Sequence, residues 1–100
     1  MNYPRTPGNP RTDLYLGIML QQFSNENRLA VITYLASVSY ATQVIIAKHT
    51  KIKQSTVSKH VKALEAAGLI TRVKSGTQVL IYINTDSWKF LLSEINKMVD

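Results

Sequence analysis

KHTKIKQSTVSKHVKALEAAGLITRVK, residues 48–74, reads as a short turn, a helix and the first strand of a hairpin. It holds seven of the chain's 12 basic residues (Lys48, Lys51, Lys53, Lys59, Lys62, Arg72 and Lys74) and one of its six acids, Glu65. That surplus equals the whole net charge of +6, so the remaining charges cancel. A positive field confined to one helix and one hairpin points to a polyanionic partner, duplex DNA above others. The blander reading is a solvated, lysine-rich surface, and the pattern beneath the charges argues against it.

Val57, Val61 and Leu64 recur at i, i+4 and i+7, one buried stripe of a helix that begins near Gln54 and ends at Gly68. With that stripe inward, Ser55, Lys59, Lys62 and Ala66 point outward, flanked by Thr56, Ser58 and Ala63. The outward face is small, hydroxylated and basic, a shape that enters a major groove about 12 Å wide. Lys59 is placed to reach a guanine edge. Ser55, Thr56 and Ser58 are placed for bases or phosphates, and Lys53, Gln54 and Lys62 extend the same surface. His60 lies at the edge of the apolar stripe, either packed or facing phosphate, and joins the candidate DNA-binding set. No carboxylate cluster accompanies it or His49, so neither suggests a metal ligand.

After Gly68 the period changes to that of a hairpin. Leu69–Lys74 and Gln78–Asn84 are β-rich runs joined by Ser75-Gly76-Thr77. Arg72 and Lys74 make one face and the tip basic, suited to phosphates or a minor groove.

Upstream, a helix is expected from Thr12 or Asp13 to Phe23, then a second capped within Ser24-Asn25-Glu26-Asn27 and running to Ala36. Leu29, Ile32, Leu35 and Ala36 are its expected core face. A short third helix spans about Thr42 to His49. Downstream, Thr85 or Asp86 opens a last helix rich in apolar residues. The first and last helices are both more apolar than free surface helices. Leu14, Ile18, Trp88, Leu91, Leu92 and Ile95 are therefore the expected dimer interface, the alternative being that the two helices pack on each other within one subunit.

Residues 1–11 carry all three prolines and are expected to form a flexible arm, leaving residues 12–100 as one domain. The chain has no cysteine, which removes disulfides, thiolate metal sites and cysteine nucleophiles and fits a cytoplasmic location. No apolar run approaches the roughly 18 residues of a membrane span. Six scattered acids and two unaccompanied histidines supply no catalytic constellation, so no enzyme is expected.

The predicted fold is α+β, mainly α with a small β-hairpin, in the order α-α-α-α-β-β-α: a winged helix-turn-helix. At this point SNENRLAVITYL and IAKHTKIKQSTVSKHVKALEAAGLI resemble the ArsR/SmtB-type transcriptional regulators. Gln54, Ser55, Thr56, Val57, Ser58, His60, Val61, Lys62, Leu64, Ala67, Gly68, Leu69 and Ile70 match that family's helix-turn-helix pattern. The resemblance covers about residues 12–99. It implies a homodimeric repressor that binds its operator through residues 54–67 and the wing at residues 69–84. It also implies an effector that opposes DNA binding.

The departures are informative. The family's thiolate pair is missing. Asp86 matches the first ligand of its other metal site, but Trp88 stands where a histidine belongs, so no metal and no cofactor are expected. Lys51 sits where the family often has glycine, and Lys53 where it often has a capping serine. The expected partners are double-stranded DNA and a second copy of the chain. The alternative functions are a winged-helix protein-interaction or assembly module and a non-specific architectural DNA-binding protein.

Overall fold

Five helices and one antiparallel hairpin form in the expected order. This computed structural model describes residues 10–99: α1 (Pro10–Gln21), a single 3-10 turn (Gln22–Ser24), α2 (Glu26–Ala36), α3 (Gln43–Thr50), α4 (Gln54–Ala66), β1 (Ile70–Ser75), β2 (Gln78–Ile83) and α5 (Thr85–Val99). The first nine residues of the expected arm lie outside the described residues. Its last two, Pro10 and Arg11, instead open α1. Proline is tolerated in a first turn, where the missing N–H has no intrahelical partner in any case.

Local chemistry sets each boundary. Asn25 accepts from the Arg28 N–H at 2.9 Å and starts α2. Thr42 accepts from the Ile45 N–H at 3.3 Å and starts α3. Lys51 ends α3 in the left-handed region (φ 60°, ψ 27°), the position at which the sequence departs from glycine. Lys53 precedes α4 and makes no side-chain cap. Beyond α4, Gly68 (φ +78°) donates to the Glu65 carbonyl and Leu69 to the Leu64 carbonyl, the paired bonds of a Schellman stop. The Leu69 N–H is thus spent on the helix, and β1 begins one residue later than expected. Asn84 accepts from Ser87 N–H at 3.3 Å and ends the hairpin by starting α5.

β1 and β2 pair from Ile70↔Ile83 to Ser75↔Gln78, so the turn is Gly76-Thr77 alone. Gly76 supplies the positive φ (+63°) that such a tight connection demands. Ala41 exchanges both backbone hydrogen bonds with Ile81, at 3.1 and 2.8 Å, and adds a one-residue third strand ahead of α3.

The core runs through every element. Met19, Val31, Leu35, Ile46, Val57, Val61, Leu64, Leu69 and Ile81 are fully enclosed. α2 is rotated from the expected face: Val31, Ile32 and Leu35 are buried, whereas Leu29 is 40% exposed and Ala36 is also on the surface. The rotation puts Arg28 in line with the buried stripe, one turn before Val31 and Ile32, where it engages two polar partners.

Candidate nucleic-acid interface

α4 presents the expected surface because its apolar stripe is completely satisfied inside: Val57, Val61 and Leu64 have no exposure. Lys53, Gln54, Ser55, Lys59 and Lys62 are exposed, and Thr56 and Ser58 are half-buried beside them. The N-terminal half of the helix therefore shows solvent a row of hydroxyl, amide and ammonium groups.

His60 does not belong to that row. It is 6% exposed and faces the core side of α4. Its Nδ1 accepts from Arg28 Nε at 3.4 Å. Arg28 Nη1 donates to Gln22 Oε1 at 2.7 Å, and Gln22 Nε2 donates to the Ile18 carbonyl at 2.9 Å. Burial first, then the Arg28 and Lys59 charges, hold the His60 pKa below its ordinary value. The imidazole serves a buried polar chain between α4, α2 and the end of α1. On the helical wheel position 60 falls beside Leu64 and Val57, at the edge of the apolar stripe, and the packed alternative is the one adopted.

In the wing, Lys74 is exposed near the turn. Arg72 is engaged: its Nε and Nη2 both donate to Glu65 Oε1, at 3.0 and 2.8 Å. That hydrogen bond raises the Arg72 pKa, and it occupies part of the donor set of a guanidinium that is charged in any case. A groove of about 710 Å³ lies between the wing and the start of α3, lined by Tyr40, Thr42, Val44, Arg72 and Val79 among others.

The expected dimer residues divide in two. Leu14 (67% exposed), Ile18 and Leu92 (57% exposed) stand on the surface of α1 and α5, joined by Leu20, Met98 and Val99, which were not in the expected set. Leu91 is 3% exposed and belongs to the subunit's own core. Trp88 and Ile95 pack against that core. Trp88 meets Phe23 edge-on and donates to the Leu69 carbonyl. Leu91 is thus a core residue, and Trp88 and Ile95 lie half-buried between it and the exposed positions of α5.

Among the described residues, no group of three His, Cys, Asp or Glu side chains is arranged to hold a metal ion, and no helix is long and apolar enough to cross a membrane.

The MarR-family model matches residues 25–78, from the cap of α2 to the first residue of β2. No curated protein sequence gives a significant match. Among solved structures, the chain is similar to an ArsR-like transcriptional regulator from Rhodococcus sp. RHA1, with TM-score 0.81 and 20% identity over 88% of this chain and 82% of that one. It is similar to the homodimeric winged helix-turn-helix DNA-binding domain of a possible ArsR-family regulator from Mycobacterium bovis, with TM-score 0.73 and 22% identity over 95% and 88% of the two chains. HlyU from Vibrio cholerae gives TM-score 0.72 and 18% identity over 90% and 97%. At these identities the likeness establishes the fold, a winged helix-turn-helix.

Proposed function

The chain belongs to the MarR family of winged-helix transcriptional regulators, and from that premise we propose that it binds duplex DNA sequence-specifically as a homodimer and represses transcription. One observation carries the reading: the exposed face of α4 combines Gln54, Ser55, Lys59 and Lys62 with neighbouring hydroxyls and has no acid until Glu65. A helix so dressed enters the major groove, with the wing lysine on the backbone. The exposed apolar strip of Leu14, Ile18, Leu92 and Val99 supports the twofold pairing. Such pairing sets two α4 helices on half-sites about 34 Å apart.

A second reading rests on Tyr40, Val44 and Ile45, which are exposed together beside the wing groove. Apolar anchors of that kind favour a protein-interaction module.

Fluorescence anisotropy separates the two. The duplex upstream of the protein's own gene is compared with a shuffled duplex, at about 50 and 200 mM salt, for the native chain and Lys59→Ala. A regulator prefers the native fragment by more than about a hundredfold at the higher salt. Lys59→Ala then loses about 1–3 kcal/mol on that fragment and less on the shuffled one. Equal, steeply salt-sensitive binding to both duplexes identifies an architectural protein. No binding to either promotes the interaction module.

A further inference from the structure

Glu65 is the one acid in the basic stretch, and it stands in the last turn of α4. Both facts weigh against it. A carboxylate at a helix C-terminus opposes the helix dipole, and beside a DNA-binding surface it repels phosphate. Its structural partner explains its presence. Two donors of Arg72, Nε and Nη2, converge on the single oxygen Oε1 at 3.0 and 2.8 Å, and each side chain keeps about a third of its surface in solvent (34% and 38%). Arg72 pairs in register with Ile81, the residue that Ala41 holds from the other side. The root of the wing is thus tied twice, through β2 to the start of α3 and through Arg72 to the end of α4.

We propose that Glu65 is a positioning residue for DNA recognition: it fixes the wing on the recognition helix and restrains the attraction of Arg72 for DNA of any sequence. The proposal rests on the DNA-binding reading given above. A guanidinium has five N–H donors. With two on Glu65, three remain for a phosphate, in an orientation set by the protein. At longer range the carboxylate cancels the arginine's field. Binding that needs the wing in one place keeps its short-range contacts, while binding that needs only charge loses some of its pull.

The test uses the full chain and two variants. Glu65→Gln removes the charge and keeps an acceptor for Arg72. Glu65→Ala removes both and leaves a good helix former. Without DNA, the heteronuclear NOE of the wing amides at residues 73–79 reports how firmly the hairpin is held. Anisotropy on the operator and on a shuffled duplex reports affinity against salt. Both variants are expected to bind the shuffled duplex more tightly at low salt. Their affinity should fall about 3.5-fold more steeply between 50 and 200 mM, the effect of one extra uncancelled charge. The operator should gain less, so the preference for it narrows. The wing NOE should drop in Glu65→Ala and stay nearer the native value in Glu65→Gln. An unchanged NOE in Glu65→Ala overturns the tie. An unchanged salt slope or operator preference overturns the restraint. Should the native chain bind neither duplex, the DNA-binding reading falls and the restraint with it, while the NOE still decides whether Glu65 holds the wing.

Discussion

The indole Nε1–H of Trp88 donates to the carbonyl oxygen of Leu69 at 3.1 Å. That same oxygen accepts from the Asn84 backbone N–H at 2.9 Å. One acceptor just beyond α4 therefore gathers the hairpin's exit and the last helix.

Because Asn84 keeps the Leu69 oxygen satisfied, Trp88→Phe removes a hydrogen bond without orphaning a buried acceptor. A loss of about 1–2 kcal/mol is expected, against about 3–5 kcal/mol for Trp88→Ala, which also opens a cavity. Urea unfolding followed by far-UV circular dichroism measures both, since the chain's single tryptophan is the residue replaced.

Gly68 answers two demands. Its φ of +78° suits glycine, and a Cβ added there would lie 2.5 Å from the Tyr15 hydroxyl. Gly68→Ala is expected to cost about 2 kcal/mol, most of it the left-handed conformation. Adding Tyr15→Phe relieves the steric share alone. Full recovery in the double variant would show that the backbone share is negligible.

Lys51 holds a left-handed conformation (φ 60°) that glycine adopts freely. Lys51→Gly is expected to raise stability by about 0.5–1 kcal/mol, the relief exceeding the extra freedom gained by the unfolded chain. A lower urea midpoint for the variant would show that the lysine side chain makes a compensating contact.

The His60 pKa is lowered by burial first, then by Arg28 and Lys59. The unfolded chain therefore takes up this proton before the folded one. Stability from neutral His60 is complete above the ordinary histidine value near 6.5 and is lost as pH falls from there through the folded pKa. The urea midpoint should drop more between pH 7.5 and 5.5 in the native chain than in His60→Gln. Equal drops would assign the pH dependence to other groups.

The elements that decide the fold were legible because their signals are local. Val57, Val61 and Leu64 mark α4 by spacing alone, Gly68 marks its end, and the change to β-rich alternation marks the wing. What escaped depends on partners distant in sequence. Ala41 looks like a loop residue until Ile81 is beside it. Arg72 looks free until Glu65 takes two of its donors. His60 sits on the boundary between two helix faces, where only Arg28, on another helix, decides which side it serves. Leu91 and Leu92 are neighbours in sequence, yet one is core and the other surface, and spacing within α5 alone does not separate them.

The bridge between Ala41 and Ile81 also bears on how the chain folds. α3, α4 and most of the hairpin lie between these two residues. The bridge can form only after that long loop has closed, and closure must be entropically offset before any contact there contributes. The helix-turn-helix can gather from near neighbours, whereas the anchored wing waits for the whole unit. The amide protons of Ala41 and Ile81, each donated to the other residue's carbonyl, thereby report by their exchange how firmly that loop stays closed.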